Sequence, residues 1–409
     1  MKNVLAICML LLIGNLYAQN KTTPTVKKLP SKGEMTILAW YSIQPDGLNL
    51  QRFQELKDCG FTHSFSESFK TNDVMEQALN LAQKVGVKLI VATPELHSEP
   101  EKTVKRFMKH PATAGYFLRD EPSTADFENL AKWARRIEAV DKGRYCYLNL
   151  FPDYAPVEVL KAKSYYDYVD RFDKEVNLPF LSFDYYPIVV DQGKTLVRES
   201  LFNTLETFLE IGQKVGKPFW AFSLATAHDP YPIPTLTHMR FQMYSNLAYG
   251  AQGLQYFTFW TPKNNKTWNF HHGPIDENNQ RTEVYDDVKT LNKEIQGLSP
   301  VFLGTKVLSV QHTGDKIPSN TKALSKLPEK VKSLTTSGSD GAIVSHLENG
   351  NREYLVVVNR DIHHKMTLDI QLDSSVERVM KDASLISASS YTSKMGIDPG
   401  DIIVYSWLK

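Results

Sequence analysis

Two adjacent carboxylates end an apolar run at residues 115–122, which read Gly-Tyr-Phe-Leu-Arg-Asp-Glu-Pro. The run has the composition of a buried β-strand, and Pro122 cannot continue a strand, so Asp120 and Glu121 are predicted to stand at its C-terminal end. A carboxyl group half-buried among aromatic residues has a raised pKa, which suits a general acid. The alternative is a surface turn in which one of the two acids caps the next helix.

Asp184 is the leading candidate for a second catalytic acid, because it also ends an apolar run and is flanked by aromatic residues. Glu67 and Glu95 come next, and Asp120 is a further catalytic candidate. Each has a structural alternative: Asp184 could bond a loop amide, Glu67 could pair with a nearby cation, and Glu95 could cap a turn. Glycosidic cleavage normally needs a proton donor and a second carboxylate on the other face of the sugar. These acids therefore predict a glycosidase, with Glu121 as the donor.

Aromatic and hydrogen-bonding residues at the ends of similar runs also suit a sugar. Rings stack on the apolar faces of a sugar, while carboxylates and amides bind its hydroxyl groups. For each tryptophan, packing inside the protein is the alternative to contact with a ligand. The candidate substrate-binding residues are Trp40, Tyr41, Glu67, Glu95, Asn149, Tyr186, Trp220, His228 and Trp260.

Eight apolar runs alternate with helical stretches from Thr36 to Pro262, and this alternation would position these side chains. Eight strand-and-helix units in roughly 230 residues fit one (β/α)8 TIM barrel, in which the C-terminal ends of all strands face one cleft. An open doubly wound sheet is the alternative, but the ligand fingerprint that such sheets usually carry is missing from the sequence. The predicted strands are Thr36–Ser42, Thr62–Ser68, Lys88–Thr93, Thr113–Arg119, Tyr145–Phe151, Phe180–Tyr186, Phe219–Ala225 and Gly253–Trp260. The predicted helices are Leu50–Cys59, Asp73–Val85, Glu101–His110, Thr124–Val140, Val157–Lys163, Leu196–Val215, Leu236–Tyr249 and Thr282–Gln296.

Beyond Pro300 the helical periodicity ends, and short alternating runs separated by turn residues predict a C-terminal antiparallel β-sandwich. The start of the chain reads as a secretory signal, with Lys2 before an apolar run that is too short to span a bilayer. We therefore predict a signal peptide at 1–18, a flexible N-terminal tail at 19–35, a catalytic barrel at 36–299 and an accessory sandwich at 300–409. The protein is expected to be exported, to the periplasm or beyond the cell, without membrane insertion.

The formal net charge of +1 provides no field that would attract nucleic acid, and a neutral carbohydrate partner is compatible with it. Cys59 and Cys146 are expected to be buried free thiols rather than a disulfide. No zinc-type motif and no Gly-rich phosphate loop occurs, so no metal and no cofactor is expected. The less favoured alternative is a metal-dependent hydrolase that uses His63, His97 and His228.

Residues 115–122 resemble the fourth-strand acid/base motif of clan A glycoside hydrolases. Residues 244–260, followed by Tyr285 and Leu291-Asn292, resemble the last helix, last strand and closing helix of barrels related to family 42 β-galactosidases, including secreted proteins of gut Bacteroidetes. The resemblance implies Glu121 as the acid/base and a sandwich without catalytic residues. The Asp120-Glu121 pair also weakly resembles that of substrate-assisted hexosaminidases, in which the Asp orients an acetamido group.

The sequence departs from the clan A pattern at strand seven, where the clan places its nucleophilic Glu. Residues 219–229 read Phe-Trp-Ala-Phe-Ser-Leu-Ala-Thr-Ala-His-Asp and contain no Glu. Asp229 or Asp184 could substitute for it, the mechanism could differ, or activity could be lost. The alternative to a glycosidase is therefore a non-catalytic glycan-binding protein on a decayed barrel.

Overall fold

The structure is a computed structural model that describes residues 27–388 and 394–409. The predicted signal peptide and the first part of the predicted tail lie outside these residues. None of the helices in the described parts of the chain combines the length and the apolar character that crossing a bilayer needs.

An eight-stranded parallel barrel forms the first part of the chain, as predicted. Its strands are hydrogen-bonded in the order β5-β4-β3-β2-β1-β10-β9-β6, and β5 and β6 meet where the Leu150 N–H donates to the Ser182 carbonyl at 2.8 Å. The strands are β1 Thr36–Trp40, β2 His63–Ser64, β3 Lys88–Val91, β4 Thr113–Asp120, β5 Tyr145–Asn149, β6 Leu181–Phe183, β9 Phe219–Leu224 and β10 Gly253–Phe257, with a hairpin of β7 Ile188–Asp191 and β8 Lys194–Val197 inserted after β6.

Amphipathic helices surround the barrel and bury their apolar faces against the outer side of its strands. Gly86 and Gly216 end two of these helices with φ of 73° and 71°, the left-handed conformation that glycine adopts without strain. The helices are α1 Leu50–Asp58, α2 Asn72–Val85, α3 Pro94–Ser98, α4 Pro100–Phe107, α5 Phe127–Val140, α6 Val157–Leu160, α7 Tyr165–Glu175, α8 Ser200–Val215, α9 Leu236–Ala248 and α10 Glu283–Phe302.

Two predicted helices differ from the observed ones. The helix predicted from Leu196 begins only at Ser200, because the preceding residues form the β7–β8 hairpin around the turn Gln192-Gly193, where both residues have positive φ. The helix predicted to end at Lys163 stops at Leu160, and α7 then begins after Ser164, whose side chain accepts a hydrogen bond from the N–H of the third residue beyond it. The hairpin, α3 and α7 were not predicted.

A separate cluster of thirteen residues fills the inside of the barrel and is largely aromatic. It includes Trp40, Phe65, Phe117, Tyr147, Phe180, Tyr186, Trp220 and Phe222. This interior is packed with side chains in the way that TIM barrels require, so the functional cleft has to lie above it, at the C-terminal ends of the strands.

Two antiparallel sheets form the C-terminal part of the chain, as predicted. A six-stranded sheet has the order β11-β13-β14-β19-β16-β17, and a three-stranded sheet the order β12-β15-β18. Their facing apolar residues form a core of their own. The strands are β11 Lys306–His312, β12 Val331–Ser337, β13 Ala342–Asn349, β14 Arg352–Asn359, β15 Met366–Leu372, β16 Glu377–Val379, β17 Leu385–Ser387, β18 Lys394–Ile397 and β19 Ile402–Leu408.

The barrel and the sandwich are joined by α9 and α10. The Ser345 hydroxyl donates to the Ala248 carbonyl at 2.7 Å, and Glu294 accepts hydrogen bonds from Arg240 and from Lys381 of the sandwich. The helix α10 runs through the boundary predicted between residues 299 and 300, so no linker separates the two parts.

Residues 27–35 lie against the sandwich rather than extending into solvent. The Leu29 N–H donates to the Ala383 carbonyl at 3.0 Å, and the Leu385 N–H donates to the Lys27 carbonyl at 2.7 Å. The backbone of this part of the predicted flexible tail thus pairs with the sandwich. Cys59 and Cys146 are buried free thiols, as predicted.

Candidate active site

Three carboxylic acids meet at the C-terminal end of the barrel. Asp120 is the last residue of β4, Glu121 follows it, and Asp184 comes directly after β6. Asn149, the last residue of β5, lies between these two strands and donates from its Nδ2 to Asp184 at 2.9 Å and to Asp120 at 3.2 Å. The side chains of Glu121 and Asp184 lie within hydrogen-bonding reach of each other, and each affects the pKa of the other. We call Asp120, Glu121 and Asp184 the acid cluster.

The backbone holds Glu121 in an unfavourable conformation. Its φ is 45°, in the left-handed region, while its N–H donates to the Asn149 carbonyl at 2.9 Å. A residue other than glycine in this region costs on the order of 1–3 kcal/mol and persists where the surroundings enforce it, often at functional sites. The backbone conformation at the end of β4 therefore turns the Glu121 side chain away from the strand and toward Asp184.

Each acid of the cluster has a raised pKa. Desolvation raises the pKa of Asp120 to about 8, with the Asp184 charge adding to it, and desolvation with the Asp120 charge raises that of Glu121 to about 7. Desolvation and the neighbouring Glu121 also raise the pKa of Asp184 well above its ordinary value. Asp120 is an exposed residue, while the protein atoms around its carboxyl group raise its pKa by desolvation. The cluster therefore retains protons near neutral pH, as a general acid requires.

The contact between Glu121 and Asp184 is shorter than the separation of two acids that act on opposite faces of a sugar. Retaining glycosidases place the two carboxyl groups about 5–5.5 Å apart, and inverting ones about 6.5–9.5 Å apart. Asp184 thus lies beside Glu121 rather than across a cleft from it. It is placed to share a proton with Glu121 in the unliganded protein, which the sequence did not suggest.

The region that would carry the clan A nucleophile holds no carboxylate close to the cluster. The strand β9 is followed by Ala225 and Thr226, and the Thr226 hydroxyl lies 2.7 Å from that of Thr258. Asp229 is exposed and pairs with Asn269, donating from its N–H to Oδ1 at 2.8 Å and accepting from Nδ2 at 2.9 Å. Asp229 is therefore committed to a loop contact and does not substitute for the missing Glu.

Four of the predicted binding residues lie close to the acid cluster. Tyr186 is buried where the charges of all three acids raise its pKa, after the larger effect of desolvation. Trp40 packs against Phe65 at the top of the barrel interior, with ring centroids 4.2 Å apart. Glu67 has a pKa raised by burial, and its charge acts on Asp120. Asn149 bridges the cluster itself.

Two further binding candidates lie at the mouth. Tyr41 follows β1 and is partly buried, and desolvation raises the pKa of its hydroxyl. His228 follows β9 and packs on Tyr231, with ring centroids 4.7 Å apart, so burial lowers the pKa of the imidazole. Both side chains belong to the loops that surround the cleft.

Three predicted binding residues make their described contacts with other parts of the protein and not with the acid cluster. Trp220 is the second residue of β9 and stacks on Phe180 at 4.3 Å, at the opposite end of the barrel interior from the mouth. Trp260 packs against Arg52, with the guanidinium 5.2 Å from the ring. Glu95 accepts a hydrogen bond from the Asn72 N–H at 3.0 Å at the start of α2. A binding role for these three stays a prediction, because an apolar run does not reveal where its strand ends or which way each side chain points.

A cleft of about 450 Å³ opens beside the end of β4. Glu67 and Arg119 line it together with His97 and Trp133, whose rings meet edge to face at 5.0 Å. Arg119 directly precedes Asp120 in the chain, but Asp120, Glu121 and Asp184 are not among the residues that line this cleft. The cleft provides both the polar and the ring surfaces that a sugar chain needs.

The sequence did not single out several residues beside the cluster. Tyr154 and Tyr231 stand in loops after β5 and β9, with Arg198 over both rings at 5.1 and 5.7 Å. Ser182 and Gln255 lie beneath Asn149 inside the barrel. Ser182 and Gln255 could have been found from the sequence, because each is a polar residue within an otherwise apolar strand.

The three histidines of the metal-dependent alternative are not gathered at one site. His63 packs near Trp220 in the barrel interior, His97 lies on α3, and His228 lies after β9. Within residues 27–388 and 394–409, no group of three His, Cys, Asp or Glu side chains is arranged to hold a metal ion.

One protein-family model matches part of the chain. Residues 124–298 match the family 42 glycoside hydrolase model, described as beta-galactosidase. The matched segment contains Asn149 and Asp184, but it begins three residues after Glu121. No curated protein matches the chain.

Similar solved structures share the fold across nearly the whole chain. A β-galactosidase from Bacillus circulans sp. alkalophilus is 10% identical, with a TM-score of 0.61 over 91% of this chain and 99% of that one. The GH42 β-galactosidase of G. stearothermophilus is 9% identical, with a TM-score of 0.60 over 94% of this chain and 100% of that one. A family 5 glycoside hydrolase from Bacteroides vulgatus is 13% identical, with a TM-score of 0.55 over 94% and 93%.

Two other similar β-galactosidases, from Marinomonas ef1 and Halorubrum lacusprofundi, are longer, and the chain spans 60% and 58% of their lengths. The solved structures are distant in sequence, so they support the fold, while the family model matches fewer than half of the residues. The chain therefore has the fold of a TIM-barrel glycoside hydrolase, and its residues 124–298 are similar to family 42.

Proposed function

We propose that this protein is an exported enzyme that cleaves O-glycosidic bonds of an oligo- or polysaccharide, with Glu121 as the proton donor. The observation that carries the proposal is the meeting of Glu121 with Asp120 and Asp184 at the C-terminal ends of the barrel strands, where desolvation raises the pKa of Glu121 to about 7. Export rests on the basic start and apolar run of residues 1–18.

The other acids support Glu121 in this proposal. Asp184 is placed to share a proton with Glu121, and Asp120 raises the pKa of Glu121 further when it is ionised. Asn149 holds Asp120 and Asp184 at hydrogen-bonding distance from its amide. Glu67, on the β2 side of the cleft, is the remaining acid that could activate water on the other face of the sugar.

Galactosides are the first substrates to test. Similar solved structures include β-galactosidases, although the fold alone does not fix the sugar. Tyr41, Tyr186 and Trp40 offer ring surfaces for stacking, and Asn149 and His228 offer polar groups for hydroxyls. The cleft beside Arg119 leaves room for a second sugar unit.

The test is the substitution Glu121→Gln, assayed on aryl galactosides and on a panel of other aryl glycosides and glycans. We expect turnover to fall by a factor of about 10² to 10⁴, the usual contribution of a general acid. Wild-type turnover should also decline as pH rises through about 7, because the donor then loses its proton. The matched control is Glu128→Gln, on the exposed face of α5. Unchanged turnover in the Glu121→Gln variant would remove Glu121 from the mechanism.

The second candidate function is glycan binding without catalysis. It is favoured by one observation, the missing carboxylate after β9. Saturable binding of a glycan by the wild-type protein, with no reducing sugar released at any pH, would support this function and contradict the first.

A further inference from the structure

A chain of hydrogen bonds runs from the acid cluster down into the barrel interior. The Oδ1 atom of Asn149 accepts from the Ser182 hydroxyl at 3.0 Å. The Ser182 oxygen in turn accepts from the Gln255 Nε2 at 2.9 Å, and the Gln255 Oε1 accepts from the Tyr147 hydroxyl at 2.5 Å. Four side chains from β5, β6 and β10 thus form one polar network under the acids.

The hydrogen bonds of this network all run in one direction, from Tyr147 toward the acids. Tyr147 has one hydroxyl hydrogen and gives it to Gln255, so the Gln255 NH₂ group faces Ser182. Ser182 then uses its own hydrogen toward Asn149. As a result the Asn149 oxygen points inward and its NH₂ group points to Asp120 and Asp184. The interior network therefore selects one of the two orientations of the Asn149 amide.

Burial makes this selection strong. Tyr147, Ser182 and Gln255 are fully enclosed, and Asn149 is 2% exposed. The surrounding barrel interior is apolar, with Trp40, Phe180 and other rings. In such surroundings a hydrogen bond is strengthened, and a polar group that loses its partner is costly. If the Asn149 amide were inverted, its NH₂ group would point at Ser182, whose oxygen already accepts from the Gln255 NH₂ group. The Asn149 oxygen would then face Asp120 and Asp184.

We propose that Ser182 and Gln255 are positioning residues for the reaction, because they hold the Asn149 amide in the orientation that donates to both Asp120 and Asp184. The proposal rests on the proposed role of the acid cluster. Neither residue touches the cleft, so each acts through Asn149. Without them, Asn149 is free to turn its oxygen to the acids, which favours their protonated forms and changes the proton distribution next to Glu121.

The test compares Ser182→Ala with Ser223→Ala. Ser223 is also a fully buried serine of a barrel strand, but in the described part of the chain its hydroxyl has no hydrogen-bond partner. Carboxyl titration by NMR of protein with ¹³C-labelled Asp and Glu side chains needs no substrate. We expect Ser182→Ala to raise the midpoint of Asp120 or Asp184 by about one pH unit, through loss of an amide donor to the charged form. Ser223→Ala should leave all midpoints in place.

A second variant, Gln255→Leu, removes the next member of the network. It should move the same midpoints in the same direction, and the double variant with Ser182→Ala should add little, because both act on one amide. Once a substrate is known, the pH dependence of kcat/KM can also be measured for these variants. The pH at which kcat/KM falls should shift together with the carboxyl titration midpoints, while KM changes less. Midpoints equal to those of the wild type in a folded Ser182→Ala variant would overturn the proposal. A Glu121→Gln variant that keeps activity would instead overturn the proposed function and leave the titration result standing.

Discussion

The substitution Asp120→Asn is expected to stabilise the fold at alkaline pH. The pKa of Asp120 is raised from 3.8 to about 8 in the folded protein, mainly because its carboxyl group is desolvated. Below the unfolded pKa both states are protonated, and the acid costs nothing. Between the two values the folded state keeps a proton that the unfolded state releases, so stability falls as pH rises, and above about 8 the whole cost is present. An amide at this position carries no such cost.

The size of the effect follows from the shift and from the exposure of the side chain. One pKa unit corresponds to about 1.4 kcal/mol, so a shift of this size in a fully enclosed group would cost about 6 kcal/mol. Asp120 is exposed to solvent, which screens the interaction. We therefore expect Asp120→Asn to raise the free energy of unfolding by about 2 kcal/mol at pH 9 and by a small fraction of that at pH 4.

Urea unfolding at pH 4, 7 and 9, followed by tryptophan fluorescence and circular dichroism, measures this difference. The control is Asp191→Asn, at the exposed end of the β7 strand. Activity should be lost or reduced in the same variant, since Asp120 supports the raised pKa of Glu121. An Asp120→Asn protein that is no more stable than the wild type at pH 9, or equally stabilised at pH 4 and 9, would refute the reasoning.

Two glycine positions should tolerate no side chain, as thermal unfolding would show. Gly253→Ala places a Cβ 2.5 Å from the Trp220 ring, which should destabilise the barrel by about 1–3 kcal/mol. Gly297→Ala places a Cβ 1.9 Å from the Lys381 carbonyl, so it should loosen the contact between α10 and the sandwich and lower the melting temperature. Gly143→Ala, which meets only an ordinary contact at 3.5 Å, is the control for both. A melting temperature equal to that of the control in either variant would contradict the packing described above.

The barrel could be predicted because its signals are local and repeated. Each apolar run of strand length is followed by an amphipathic stretch, and glycines such as Gly86 and Gly216 mark helix ends. The hairpin after β6 and the helix α7 were missed, since an apolar pair such as Leu196-Val197 is equally compatible with a helix or a strand. Propensity and period do not decide between them over so short a span.

The site was predicted in part. Asp120, Glu121, Asn149 and Asp184 come together because parallel strands carry their last residues to one end of the barrel. The pattern could not show how close each residue lies to the C-terminal end of its strand. Trp220 is an example, because it is the second residue of β9 and lies far from that end. The close contact between Glu121 and Asp184 also depends on the positive φ of Glu121, which the sequence does not signal.

The continuous path of α10 from the barrel into the sandwich affects how a substrate can enter. The helix α10 crosses the junction with Pro300 inside it, and the first described residues bind the sandwich as well. These contacts oppose a swing of the C-terminal sheets against the barrel. Widening or narrowing around a bound glycan is therefore expected from the barrel's own loops, such as the one that carries Tyr231.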